Sequence, residues 1–324
     1  MKQFVSRWLC RSYAFWDLAC YACDSHDGWD ISYCDWRNNS IVAIATCRRC
    51  HAKQFLKKNR RFGVEHNGDA RLGYETLRLV HSRYVNMPPF LLPQAYRFSF
   101  GSSAFSMEYI HGVSMDEKIR QAGKIEDFND CLRLSAAWLR ELHHAPLSND
   151  TVIGNNPATM LQTLEKDCDL LINRNKAVVQ ALILMRDGLS CLNEKTIKYV
   201  PLHGDFKASN LICTPQEKIY GIDFVLAFRN SGGMDIAQFF IDMLLNRRAI
   251  KTMTSASGDL EQILDVFLES YGDNSQKNKR HIAWWLLYFL FSRWKADLNS
   301  FKSSLFAVRG YDRVLSDILK VYGI

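Results

Sequence analysis

His203-Gly204-Asp205-Phe206-Lys207-Ala208-Ser209-Asn210, followed by Gly221-Ile222-Asp223-Phe224, is the stretch that decides how the rest of the chain is read. An H-x-D pair alone is common by chance, and so is D-x-x-x-x-N. The combination is stronger. A short strand precedes the loop, another follows it, and a further hydrophobic strand ends in Asp-Phe. Phosphoryl transfer needs few covalent participants: a group to orient and deprotonate the attacking hydroxyl, cations to neutralise the phosphates, and ligands for those cations. Asp205 is the candidate base. Asn210 offers a neutral oxygen and Asp223 a charged one, both hard donors suited to Mg²⁺.

Working outward, the chain before this stretch changes period twice. Ile31–Trp36 alternates, Arg37–Ser40 has turn chemistry, and Ile41–Ala45 is a strand run. Arg48-Arg49 turns the chain again into His51–Phe55, so three antiparallel strands are expected. Residues 69–84 return to helical spacing, with Leu72, Leu77 and Val80 toward a core. Met87-Pro-Pro-Phe90 breaks that helix. Two more strands are expected around 95–100 and 104–110. After Gly112 the pattern is helical over 126–145, 158–193 and from 234 onward, and the stripe Trp284–Phe291 reads as buried core. The expected architecture is α+β and two-lobed: a small antiparallel-sheet lobe over 1–110, with 1–29 as an extension, and a larger, mostly helical lobe over 111–324.

With these residues in place, the chain resembles the aminoglycoside phosphotransferase and choline kinase branch of the protein-kinase-like superfamily. The resemblance runs from about residue 30 onward and is most specific in HGDFKASN and IDF. It implies an ATP-dependent, Mg²⁺-requiring phosphotransferase with an alcohol acceptor. It also implies a strand lysine over the α- and β-phosphates, paired with a helix glutamate. Lys53 and Glu75 fit those places, with Lys57 or Lys58 and Glu65 as alternatives. Ser106–Gly112 resembles the hinge that reads adenine through backbone groups, here the Glu108 carbonyl and the Ile110 amide. No G-x-G-x-x-G occurs, and Asn39 and Ser40 occupy the phosphate-covering turn. Asp235, in Gly232-Gly-Met-Asp, matches a family aspartate that braces the catalytic loop from a helix start. His203 belongs to the same structural set, and Lys207 is placed to neutralise the transferring phosphoryl group.

Two lengths favour a small acceptor over a peptide. Only eleven residues separate Asp223 from Asp235, too few for a peptide-docking segment ending in an A-P-E-like element, while the stretch from the hinge to Asp205 is long and helical. A net charge of +7 weighs against a polycationic aminoglycoside, leaving sugars, amino alcohols and saccharide precursors at least as plausible as acceptors. A pseudokinase scaffold and an atypical protein kinase are the rival readings.

No nucleic-acid motif accompanies the basic excess. The short run Lys57, Lys58, Arg60, Arg61 reads as a solvated face. The longest apolar stretch, Ala283–Phe291, is about half of the ~20 residues a membrane span needs. Residues 1–23 carry Phe4, Trp8 and Phe15 near helical spacing among basic residues, which fits a helix packed on the first lobe or a peripheral membrane contact. Ten cysteines without an export signal point to reduced thiols and a cytoplasmic setting. Cys20/Cys23 and Cys47/Cys50 have the spacing of a four-thiolate zinc site. Against this, Arg48-Arg49 reads as a hairpin turn, and neither pair encloses the glycine usual in zinc knuckles. Ordinary thiols in a core and on a turn are therefore the expectation.

Overall fold

A computed structural model describes residues 15–36, 40–59, 70–84, 91–145, 156–167, 175–192, 199–225, 229–245, 260–298 and 305–321. The chain divides into two compact units: Met1–Gly112 with Ile212–Leu226, and Val113–Leu211 with Ala227–Ile324. A single boundary at residue 110 does not describe this division, because 212–226 belongs with the first unit.

The first unit is built on a five-stranded antiparallel sheet. Its strands are β1 (Trp29–Trp36), β2 (Ser40–Cys47), β3 (Lys53–Asn59), β4 (Ala95–Ser99) and β5 (Ala104–Glu108), in the order β1-β2-β3-β5-β4. Successive side chains point to opposite faces, and the two faces have different covers. Ile41, Ala43, Ala45, Cys47, Leu56 and Ala104 share one face with Phe15, Leu18 and Cys20, from the segment before β1. On the other face Phe105, Met107 and Phe55 pack against Ala70, Tyr74 and Leu77 of helix α1 (Ala70–Tyr84). Covered on both sides, β2 is buried almost throughout and reads as a continuous apolar run rather than an alternating one. Phe15 is thus core, whereas Phe4 and Trp8 lie outside the described residues.

The second unit is helical. Its first strand is β6 (Val113–Ser114), and then come helices α2 (Met115–Gln121), α3 (Ile125–His144), α4 (Pro157–Asp167) and α5 (Lys176–Asp187). After strand β7 (Tyr199–Pro201), the two short strands β8 (Leu211–Cys213) and β9 (Ile219–Gly221) fall, apart from Leu211, within the excursion into the first unit. Strand β10 (Arg229–Ser231), antiparallel to β7, leads into α6 (Gly233–Leu245), α7 (Leu260–Tyr271), α8 (Gln276–Leu298) and α9 (Leu305–Val321). Helix α8 packs on α6 and α9, and of the stripe Trp284–Phe291 all are buried except the half-buried Tyr288 and Phe289. No helix of the described residues is long and apolar enough to cross a membrane.

Candidate active site

The loop between β7 and β8 is fixed from beneath by α6. Gly204 sits at φ +80°, a left-handed conformation that costs glycine nothing and other residues strain. That turn aims the His203 and Gly204 amides at Asp235, in the first turn of α6. The fully buried Asp235 carboxylate accepts from His203 N at 2.7 Å and Gly204 N at 3.0 Å. One turn along α6, Gln238 accepts from Phe206 N and donates to the Gly204 carbonyl. Phe206 is wholly buried, stacked against Trp138 of α3 and Phe239 of α6. Backbone and anchor are thus both held, and an unpaired carboxylate at this depth would be costly.

Above this base the polar side chains converge. Asn210 Nδ2 donates to the Asp205 carbonyl at 2.9 Å and to its Oδ2 at 3.0 Å. Lys207 Nζ lies 2.7 Å from the same Oδ2. His203 is buried and accepts from the Asp205 amide through Nδ1. Asp205 remains partly solvent-exposed. Asn210 spends its amide nitrogen on Asp205, so its side-chain oxygen takes no part in that contact.

Asp235 also receives a hydrogen bond that the sequence pattern did not indicate. His143, near the end of α3, places Nε2 3.1 Å from Asp235 Oδ2 and Nδ1 2.7 Å from the Tyr271 hydroxyl. Burial, reinforced by the Asp235 and Asp273 carboxylates, pushes the Tyr271 phenol above its ordinary range, so its hydroxyl keeps its proton. The chain therefore runs from Tyr271 O–H to His143 Nδ1, and from His143 Nε2–H to Asp235. His143 and Tyr271 lie 128 positions apart, so no local pattern links them.

In the first unit a different strand lysine from the one first expected meets Asp223. Lys57, not Lys53, reaches Asp223: Nζ lies 2.9 Å from Oδ1, with the two side chains only 14% and 25% exposed. Lys53 lies exposed at the start of β3, its ammonium 4.0 Å from the Tyr109 ring centroid. Glu75 is exposed on α1 and pairs with Arg71 at 2.8 Å, so the expected Lys53–Glu75 pair is absent among the described residues. Both lysines share a face of β3 two pleats apart, and what separates them is the tertiary position of Asp223. Lys58 points to the opposite face, where burial lowers its pKa against the opposing pull of Asp17. Glu65 lies outside the described residues. Asp223 has φ +60°, rare for a residue with a side chain and a form of strain that gathers at functional sites.

The hinge candidates are tied into the sheet. Glu108 donates its amide to the Gln94 carbonyl, and its carboxylate accepts from the Gln94 amide. Ile110 follows β5 and is half-buried. Gly112 closes the segment: a Cβ there would stand 2.3 Å from the Cys213 carbonyl oxygen, so only glycine lets the two backbones approach. Ser40 is buried as the first residue of β2, opposite Asn59 on β3, while Asn39 lies outside the described residues.

The cysteines depart furthest from expectation. The sulfurs of Cys20, Cys23, Cys47 and Cys50 all lie within 4.8 Å of one another. They are free thiols, as are Cys131 and Cys213, while Cys34 is disulfide-bonded.

No family model and no curated protein matches this sequence. Solved structures do match. A choline kinase from Streptococcus pneumoniae superposes with a TM-score of 0.54 at 14% identity, over 90% of this chain and 94% of that one. An aminoglycoside phosphotransferase from Alicyclobacillus acidocaldarius reaches 0.57 at 14% identity, over 91% and 93%. A thermostable aminoglycoside phosphotransferase mutant in a ternary complex with ADP and hygromycin B reaches 0.60 at 13% identity, over 89% and 95%. The fold is that of the small-molecule kinases. At these identities the likeness establishes the architecture, and the chemistry rests on the residues above.

Proposed function

We propose that the chain transfers the γ-phosphoryl group of ATP to a hydroxyl group of a small molecule. The observation that carries this reading is the Asp205 carboxylate, held by Asn210 and Lys207 on a loop locked from below by Asp235. Asp205 orients the acceptor hydroxyl and takes its proton as the oxygen attacks phosphorus. The new P–O bond forms while the bond to the departing ADP oxygen breaks. Lys207 and Lys57 bring positive charge to the phosphates, an effect worth most where water is excluded. Asn210 and Asp223 offer the hard oxygens that suit Mg²⁺, which when bound would offset phosphate charge. The Glu108 carbonyl and Ile110 amide are proposed to read the adenine edge. ADP in the aminoglycoside phosphotransferase complex supports an adenine nucleotide as the phosphoryl donor.

The acceptor class follows from length and charge. Eleven residues between Asp223 and Asp235 leave no peptide-docking segment, and a +7 chain is a poor general host for polycations. Amino alcohols, sugars and saccharide precursors are the proposed acceptors, met in the cytoplasm. The test is a transfer assay with γ-labelled ATP over choline, ethanolamine, sugars and aminoglycosides, run on the native sequence and on Asp205→Asn. Label should pass to one class of small molecule, and the variant should lose on the order of 10²–10⁴ in rate while still binding Mg-ATP. Equal turnover by the variant would remove Asp205 from the mechanism. Transfer to protein alone would favour the protein-kinase reading, and transfer to nothing the pseudokinase.

A further inference from the structure

Cys20 and Cys23 lie in the segment before β1, Cys47 ends β2, and Cys50 lies in the turn from β2 to β3. The Cys20 and Cys50 sulfurs are 3.6 Å apart, and those of Cys23 and Cys47 are 3.7 Å apart. Those separations are far beyond the ~2.05 Å of a disulfide. They match the edge of a zinc–thiolate tetrahedron, about 3.8 Å when each Zn–S bond is about 2.3 Å.

The two loops repeat one local design. In the first, the Cys20 carbonyl accepts from Asp24 N at 3.0 Å, and Asp24 is left-handed at φ +56°. In the second, the Cys47 carbonyl accepts from His51 N at 3.0 Å, and His51 is left-handed at φ +62°. Each C-x-x-C is thus wound into the same tight turn, with the left-handed residue directly after the second cysteine. Asp24 and His51 occupy the position where a glycine would be expected, so its absence from the sequence did not exclude the fold of the loop.

A side-chain donor also meets one of the sulfurs. The wholly buried Gln54 side chain gives its Nε2 to Cys20 Sγ at 3.2 Å. Hydrogen bonds of this kind stabilise thiolates and orient ligands around a metal. Cys20 and Cys47 are buried in the sheet core, Cys23 is half-buried and Cys50 is exposed, so an ion could enter from the Cys50 side.

We infer that Cys20, Cys23, Cys47 and Cys50 form a closed four-thiolate site for one structural zinc ion, stapling the segment before β1 to the β2–β3 turn. With all four positions taken by protein, no ligand place remains for chemistry. The site sits on the strand pair that carries Lys57, but it belongs to the frame and not to the transfer reaction.

The test is metal analysis of the full chain, purified reduced and without a metal-affinity column. One zinc per chain is expected. After zinc removal and refilling with Co²⁺, the visible bands of tetrahedral cobalt–thiolate should appear. Cys50→Ser, at the exposed corner, should keep the fold and weaken zinc affinity by more than about a hundredfold, exceeding the loss of an outer-shell partner. The cobalt spectrum of the unaltered chain decides the matter even if a variant fails to fold. Iron in place of zinc, two disulfides among the four cysteines in freshly alkylated protein, or metal-free protein that binds neither ion would each overturn the assignment.

Discussion

Lys57 Nζ meets Asp223 Oδ1 at 2.9 Å across 166 positions of sequence. Both side chains are largely withdrawn from solvent, which separates this pair from the exposed ion pairs that contribute little. The contact places a cation beside the carboxylate proposed to hold the metal. Lys57→Ala should therefore weaken Mg-ATP binding and lower kcat/KM by about a hundredfold or more. Lys53→Ala, at an exposed ammonium over Tyr109, should leave both nearly unchanged. Nucleotide titration and steady-state kinetics on the two variants separate them, and equal losses would contradict the assignment of Lys57.

Asp235 satisfies three donors at once: His203 N, Gly204 N and His143 Nε2. Asp235→Ala strands all three in a buried place, where each unmet group costs about 1–3 kcal/mol. A stability loss of about 3 kcal/mol or more is expected from urea unfolding. Asp235→Asn keeps one acceptor oxygen and should lose less. His143→Phe should fall between them, since it leaves the loop amides bonded.

His281 gives a pH signature. Its Nε2 accepts from the Ser231 hydroxyl at 2.7 Å and from Trp285 Nε1 at 3.1 Å. Burial first, then Lys277, depresses its pKa from 6.5 to about 4, with Asp273 opposing. Below pH 6.5 the unfolded chain takes up a proton that the folded chain refuses, so stability falls with pH until about 4. The full effect is about 3 kcal/mol. Urea midpoints at pH 7 and pH 5 should differ less in His281→Gln than in the native sequence, although the variant is less stable at pH 7.

Gly112→Ala would drive a methyl carbon against the Cys213 carbonyl, a backbone atom that cannot swing aside. The substitution should cost more than about 1 kcal/mol. Its effect should reach nucleotide binding, because Gly112 follows the hinge candidates. A thermal melt with and without Mg-ATP measures both. A variant with unchanged melting and an unchanged nucleotide shift would show that the two backbones need not approach so closely.

The geometry of the loop proposed to be catalytic was legible because its spacing is local. Asp205, Lys207 and Asn210 meet within five residues, and the sequence order almost dictates the contacts. The strand lysine was not. Lys53 and Lys57 share a pleat face, and only the return of the chain with Asp223 selects between them. The cysteines failed for the same reason. Each C-x-x-C can be read alone, but their convergence depends on the segment before β1 folding over the sheet face that bears Cys47 and Leu56. His143 and Tyr271 carry no motif, and their link to Asp235 exists only once α3, α6 and α7 pack. The five strands of the first unit's sheet and the buried helix α8, whose signals are periodic or compositional, were legible, whereas the very short β6 and β10 were not.

The excursion of Ile212–Leu226 into the first unit has a consequence for dissecting the chain. Neither unit is one continuous stretch of polypeptide, so no single truncation isolates either. A fragment ending at Gly112 would carry Lys57 and all four clustered cysteines, yet it would lack Asp223 and the Cys213 carbonyl beside Gly112. Circular permutation with new ends in the turn at Pro215–Glu217, between β8 and β9, would keep every residue while cutting the excursion in two. Recovery of folding by that permutant would measure how far the covalent thread, rather than the contacts, holds Asp223 to its lysine.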